Sequence, residues 1–396
     1  MASPASIGPS GALRGRDLIC FSHDWNGDPL SKTHLMRLLA RDNRVLWVNS
    51  IGYRAPAASR KDWNRAVRKL AAATRPITEP ERNIFVLNPI AIPGYGRPAI
   101  RSLNRRLLRF QVCRAIRKLG FRRPINWVFN PAAGVVAGSL GEESIIYYCV
   151  DEYSAFAGVP AEALAVLEAD LIRRADLVIV SAERLYQAKA PLNTRTHLVR
   201  HGVDFDHFRR ALDPELAVAP EVAGLPRPVV GYFGLMAEDW IDLPLLEAVA
   251  AHLEARGGSL VLVGRSTMDL GSLPHRSNVV ITGRRPYADL PAFCKGFDAA
   301  IIPFPISECT LNANPLKARE YLAAGLPVVS TAIPEVEFLG VCRVGRDRPG
   351  FLEELDAALI DPGPKAWRSD SVRGEGWSAR LEDVRLLFAE ATEGRP

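Results

Sequence analysis

Short apolar runs recur along this chain, each followed by a stretch with helical spacing, and that alternation admits few folds besides a parallel α/β sheet. A first series reads "DLICFS" (17–22), "VLWVNS" (45–50), "NIFVLN" (83–88), "INWVFN" (125–130), "SIIYYCV" (144–150), "DLVIVS" (176–181) and "THLVR" (196–200). Helical patterns fall between these runs near 31–41, 99–119, 160–174 and 182–189. A second series opens at "RPVVGYFG" (227–234) and continues through "GSLVLVG", "SNVVITG", "DAAIIPF" and "LPVVST", with helices near 242–255, 287–296, 315–324 and 350–359. Single cores stop growing near 250 to 300 residues, so 396 residues imply more than one domain. The expected layout is a first Rossmann-like domain over 1–212, a Pro- and Ala-rich linker over 213–226, a second Rossmann-like domain over 227–365, and a C-terminal helix over 366–396 packing back on the first. In such doubly wound sheets ligands bind beyond the carboxyl ends of the strands, so the loops there are where function is sought.

Charge is divided unevenly. Residues 1–205 hold 30 Lys plus Arg against 17 Asp plus Glu, and the remainder holds 20 against 27. The first half therefore suits an anionic partner, either nucleic acid or a membrane surface. The six cysteines are scattered, with no C-x-x-C pair and no histidine cluster at metal-ligand spacing, which points to a reducing compartment, no structural metal and no cofactor. The opening residues lack a signal-peptide core, and nowhere do 18 apolar residues run together. A cytoplasmic location is expected.

The stretch "NANPLKAREYLAAGLPVVST" (312–331) carries the sharpest local chemistry. Asn314 suits an N-cap, Pro315 the first helical position and Gly325 a left-handed helix end. The first turn of such a helix offers unpaired N–H groups and a positive dipole end, and Lys317 adds a full charge there, so phosphate is favoured. Glu320 follows on the same side, roughly 4.5 Å along the axis, where a carboxylate can accept from two vicinal hydroxyls. A nucleoside diphosphate presents both groups at that separation. The alternative is an ordinary surface helix with an i, i+3 ion pair.

These residues, "HGVDFDHF" (201–208) and the tandem α/β pattern resemble glycosyltransferases of the GT-B fold, in which two doubly wound Rossmann-like domains face each other across a cleft. The closer likeness is to bacterial group 1, family 4-like enzymes of cell-surface polysaccharide synthesis, including teichuronic acid and xanthan-type transferases, and it runs from "SHDW" to about Glu337. The resemblance implies that Glu320 holds the donor ribose and that the helix start, Asn314 to Lys317 with Pro315, faces the diphosphate. Gly234, Arg265 and Tyr287 complete the expected donor set, Tyr287 as a ring for a uracil base. Two departures leave the stereochemical outcome open. Asn312 stands where many retaining members carry a glutamate eight residues before the ribose-binding one, and "GYFGLMAEDW" lacks their Arg and Lys pair.

Transfer needs a base for the acceptor hydroxyl. Asp151, directly past the apolar run "IIYYCV", is the first candidate and Asp24 in "SHDWNGD" the second, with His23, Trp25 and Glu152 on the acceptor side. No D-x-D pair for a metal stands out. Residues 101–123 hold nine Lys or Arg and no acidic residue, with Leu103, Leu107, Phe110 and Arg114 on one stripe and Val112, Ile116 and Leu119 broadening the apolar face. A helix of this kind lies on an anionic leaflet, which suits a lipid-linked or polysaccharide acceptor at the inner face of the plasma membrane, or it simply covers the sheet. No RNA or DNA module is recognisable, so nucleic acid is not an expected partner. The competing readings are a sugar-nucleotide 2-epimerase of the same fold and an anion-binding protein without catalysis.

Overall fold

The computed structural model describes residues 13–52 and 76–393. Trp63, close in sequence to the basic helix, lies outside them. The chain divides into one unit of residues 1–200 with 380–396 and a second of residues 201–379.

The first unit is built on an eight-stranded sheet in the order β3-β4-β2-β1-β5-β6-β7-β8, whose strands are β1 (Asp17–Phe21), β2 (Arg44–Val48), β3 (Thr78–Glu81), β4 (Ile84–Leu87), β5 (Ile125–Val128), β6 (Ser144–Cys149), β7 (Leu177–Val180) and β8 (Thr196–Leu198). All pair in parallel except β3, which runs antiparallel to β4. β1, β5, β6 and β7 are buried along their whole length, which explains their continuous apolar sequence. The sequence reading did not include β3. "TEPE" is polar and contains a proline, as an edge strand tolerates.

The second unit has a six-stranded, all-parallel sheet in the order β11-β10-β9-β12-β13-β14. Its strands are β9 (Val229–Phe233), β10 (Ser259–Val263), β11 (Val279–Gly283), β12 (Ala299–Ile302), β13 (Val328–Thr331) and β14 (Arg343–Gly345). Counted within the unit this is 3-2-1-4-5-6, the doubly wound order in which the progression of strands across the sheet reverses between the first and fourth strands. β1 and β5 occupy the same switch position in the first unit.

The expected domain boundaries shift. The stretch 213–226 is no free linker: it contains the helix Pro220–Ala223, and Val222, 1% exposed, belongs to the core of the second unit. Lys295 Nζ also donates to the carbonyls of Asp213 and Pro214 at 2.5 and 2.9 Å. Proline and alanine read as linker by composition, but the valines and alanines among them are apolar enough to bury. At the far end, the second unit extends to Ala379, beyond the expected limit at 365, because the segment after 365 closes a helix end. Arg368 Nε donates to the Gly325 carbonyl at 2.9 Å and Ser369 Oγ to the Ala323 carbonyl at 2.8 Å. The last helix, Trp377–Thr392, gives most of its length to the first unit, where the buried Arg385 pairs with Asp42 at 3.2 Å.

Candidate functional site

In the second unit the helix Leu316–Ala323 begins one residue later than its sequence suggests, with Pro315 as the cap position and no capping side chain. Asn314 is not free to cap. It is buried, its Oδ1 accepts from Arg319 at 2.7 Å and its Nδ2 donates to Glu335 at 3.2 Å. Its carbonyl is 2.9 Å from His201 Nδ1. The expected donor role of Asn314 therefore becomes a positional one: it fixes the start of the helix from within. The helix ends as anticipated, with Gly325 N–H donating to Leu322 and Leu326 N–H to Tyr321.

Lys317 stands on the first turn of that helix, at the switch point of the sheet. Its Nζ lies 5.6 Å from the ring centre of Tyr232 on β9 and 5.8 Å from that of Phe304, just past β12. Gly234, which follows β9, has φ +139°, and a Cβ there would sit 2.2 Å from Lys317 Cε and 2.7 Å from its Nζ. The positive φ is what calls for glycine at 234, and the end of the lysine lies close against its backbone. A Cβ at Gly264, after β10, would meet the Gly234 carbonyl oxygen at 1.9 Å, so backbone packs on backbone at this corner. Among the described residues Lys317 has no ion-pair partner; burial lowers its pKa, against the pull of Glu320.

Glu320, 9% exposed, has no side-chain hydrogen bond among the described residues. Burial raises its carboxyl to about 7, with Lys317 opposing and Asp204 adding to the rise. A buried carboxylate without a donor is costly to the fold and is normally supplied with one. Ligand hydroxyls would supply it.

The remaining donor candidates divide. Arg265, at the carboxyl end of β10, is exposed, and its backbone carbonyl accepts from Met236. Tyr287 is engaged in packing: His207 stacks on it at 4.5 Å with an 11° interplanar angle, and Phe208 meets it at 89° and 5.6 Å. One face is taken, which accounts for the ring without a bound base. Asn312, which replaces the glutamate of retaining relatives, is buried, and its Nδ2 donates to the Glu308 carbonyl and carboxylate.

In the first unit the loop after β1 holds His23, Asp24 and Trp25. His23 lies between hydroxyls, 3.1 Å from Ser22 Oγ and 3.4 Å from Thr33 Oγ1, with its ring edge-on to Trp47. Burial, helped by Lys32, pushes its pKa down to about 3, so the imidazole is neutral at physiological pH. Asp24 is exposed, and its Oδ1 accepts from the Ser50 N–H at 3.1 Å. Trp25 packs against Trp47 at 4.9 Å and its N–H is bound by Asn49. Glu152, placed on the acceptor side by sequence, is instead held by Lys189 at 2.8 Å and by Ser154 Oγ at 2.5 Å. Burial raises the Glu152 pKa, but Lys189 and Ser154 outweigh it and hold the carboxyl below its ordinary range.

Asp151 differs from its neighbours. It is half-buried just past β6, and its carboxylate has no hydrogen bond among the described residues. Burial raises its pKa and Glu152 adds to the rise, while Lys32 opposes it. Sequence reasoning missed Lys32. It stands in the second position of the helix Ser31–Leu39, and only the tertiary fold brings it to β5 and β6.

Residues 227–360 match the family Glycosyl transferases group 1. The putative teichuronic acid biosynthesis glycosyltransferase TuaH of Bacillus subtilis (strain 168) is 24% identical over 225 residues, a match spanning 52% of this chain and 55%, about half, of that relative. Among solved structures, sucrose-phosphate synthase from Thermosynechococcus elongatus is similar with a TM-score of 0.68 at 16% identity, over 96% of this chain and 100% of that one. Anabaena HepE in complex with UDP has a TM-score of 0.64 at 14% identity, over 95% and 100%. At these identities the structural likeness speaks for the fold, while the matched family covers the unit that holds Lys317 and Glu320. The second unit thus carries a domain that matches the group 1 glycosyltransferases, and the chain as a whole has the two Rossmann-like units of the GT-B fold.

Proposed function

We propose that this chain transfers a sugar from a nucleoside diphosphate donor to a lipid-linked or polysaccharide acceptor of the cell envelope. The observation that carries the donor half is Glu320, a buried carboxylate with no hydrogen-bond partner among the described residues, one turn from Lys317, which has no ion-pair partner among them, at the switch point of the second sheet. Lys317, with exposed Arg265, meets the diphosphate, and Glu320 accepts from the ribose hydroxyls. HepE, a structural neighbour, was solved with UDP, which favours a uridine donor. TuaH, a relative, carries a teichuronic acid designation, which favours an envelope glycan as acceptor. In the transfer step Asp151 takes the acceptor hydroxyl proton as that oxygen bonds to the anomeric carbon, and the nucleoside diphosphate leaves with the electron pair of the broken bond.

A thermal-shift series with UDP, GDP, dTDP and ADP tests the donor reading, since a ligand at 100 times its Kd stabilises the folded state by about 2.7 kcal/mol. UDP is expected to raise the Tm most. No shift with any of the four would overturn the reading. Glu320→Ala is expected to weaken UDP binding by roughly tenfold or more, two hydrogen bonds to a charged acceptor being at stake, while thermal unfolding stays near wild type because the carboxylate supports no other group. Unchanged affinity in calorimetry would remove the ribose assignment.

The membrane part of the proposal rests on the helix Pro98–Leu119. It buries Asn104, Leu108, Val112, Ala115 and Ile116 against the first unit, not the stripe through Leu103 and Phe110 expected from sequence. Those two are 45% and 63% exposed and share the outer face with Arg106, Arg114 and Arg117. Exposed apolar side chains among cations fit the boundary of an anionic leaflet. Among the described residues no helix is long and apolar enough to cross a membrane. Phosphatidylglycerol vesicles are expected to bind the protein at low salt and to release it as salt rises, and Arg106→Gln, Arg114→Gln and Arg117→Gln together are expected to abolish binding without changing UDP affinity. Arg109 is a poorer choice, because its Nε donates to the Ser139 carbonyl at 3.0 Å.

A further inference from the structure

Lys32 repeats, in the first unit, the construction that surrounds Lys317 in the second. Each is the second residue of its helix, Ser31–Leu39 and Leu316–Ala323. Lys317 Nζ stands 5.6 and 5.8 Å from two aromatic ring centres, and Lys32 Nζ stands 5.7 Å from those of both Phe129 and Tyr153. Phe129 directly follows β5 and Tyr153 lies just beyond β6, so the ammonium is at the carboxyl end of the first sheet, where a doubly wound sheet takes its ligand. The rings hold the cation without neutralising it. Lys32 is half-buried, its Nζ donates to the Tyr153 hydroxyl at 3.3 Å, and among the described residues no carboxylate forms an ion pair with it. Glu152 is already held by Lys189 at 2.8 Å and by Ser154 Oγ at 2.5 Å. Asp151 is near enough to act on the charge of Lys32 but makes no hydrogen bond or ion pair with it. A cation drawn out of water without a counter-charge is costly until a partner brings one.

We infer that Lys32 binds an oxyanion carried by the acceptor, of the class that a lipid-linked glycan presents in its phosphate or an acidic glycan in its carboxylate. The inference deepens the proposed transfer and rests on placing the acceptor in the first unit. It gives that acceptor two contacts at one end of the sheet, a hydroxyl at Asp151 and an anion at Lys32. The match to Lys317, read as a diphosphate contact, favours phosphate of the two. Burial lowers the pKa of Lys32 against the pull of Asp151, Cys20 and Cys149, as it lowers that of Lys317, and a bound oxyanion would oppose the fall in either place.

Calorimetry on UDP-saturated protein tests this, because UDP then occupies the donor site. The probes are geranyl diphosphate with geraniol as its neutral counterpart, and glucuronic acid with glucose as its own. Wild type is expected to prefer geranyl diphosphate to geraniol. In Lys32→Met that preference should shrink by about 10 to 100-fold, through loss of a charged hydrogen bond to phosphate, and in Lys32→Arg most of it should remain. The same pattern with glucuronic acid in place of the diphosphate would make a uronate carboxylate the source of the oxyanion. Lys32→Gln serves if the methionine variant does not fold. A preference for neither anion in wild type, or one unchanged in the neutral variant, overturns the inference and leaves Lys32 as a packing residue between Phe129 and Tyr153. Failure of UDP itself to bind would instead fall on the donor reading, so the two failures are distinguishable.

Discussion

Asp151→Asn is expected to reduce sugar transfer by about 10² to 10⁴-fold, the usual cost of losing a general base, and to leave UDP affinity unchanged. Asparagine keeps the size of the side chain but takes up no proton at neutral pH. The fold should tolerate it, because the carboxylate makes no hydrogen bond among the described residues and burial already disfavours its charge. The pH dependence has a definite sign. Burial, the largest influence, holds the folded-state pKa above the ordinary carboxylate value, so the ionised form costs stability: Asp151 destabilises the fold as pH rises above the unfolded value and ceases to do so when protonated. Wild-type activity therefore falls on the acid side as Asp151 takes up its proton, at a pH above that of a free aspartate, while Asp151→Asn has no such limb. Transfer within threefold of wild type would move the assignment to Asp24, whose carboxylate is exposed and whose Oδ1 is bound by Ser50. Loss of UDP binding or of the folded state would mark Asp151 as structural.

Much of this arrangement is legible in the sequence because the strands of a doubly wound sheet are buried on both faces and so appear as unbroken apolar runs, "DLICF" and "LVIV" among them. The residue after such a run stands at the carboxyl end of its strand, which is why Asp151 and Gly234 can be placed at that end of their sheets without coordinates. Two kinds of residue resist this logic. β3 and β14 are short and lie at the edges of their sheets, where the apolar signal is weak. Lys32 is indistinguishable in sequence from a solvated first-turn lysine, and nothing local to "SKTHL" says that Phe129 and Tyr153 will close over it. Glu152 fails in the opposite direction. Its position next to Asp151 suggests the site, but Lys189, remote in sequence, claims its carboxylate and also binds the buried Glu168 at 2.7 Å.

Lys317→Ala and Arg319→Ala are expected to separate binding from stability, although the two cations are two residues apart on one helix. Helical rotation of about 200° sends them to opposite sides, Lys317 to the switch point and Arg319 into the interior. Arg319 is 0% exposed, its Nε donates to Glu375 at 2.6 Å and its Nη1 to Asn314 Oδ1 at 2.7 Å. Asn314 in turn ties Glu335, so one guanidinium joins the start of the helix, the loop before it and the segment at 375. Arg319→Ala leaves a cavity the size of the side chain and removes the guanidinium's bonds to Glu375 and to the buried Asn314 oxygen. Breaking a buried ion pair from one side typically costs 3 to 5 kcal/mol, and the partial exposure of Glu375 places this case toward the lower figure. At roughly 2 to 4 °C per kcal/mol for a domain of this size, the Tm should fall by about 10 °C. Lys317→Ala removes a cation that no carboxylate among the described residues pairs with and should leave the Tm near wild type, while UDP affinity drops about 10 to 100-fold through loss of a charged hydrogen bond to phosphate. Equal Tm losses in both variants would mean that Lys317 is a packing residue against Tyr232 and Phe304 and that the diphosphate is held elsewhere.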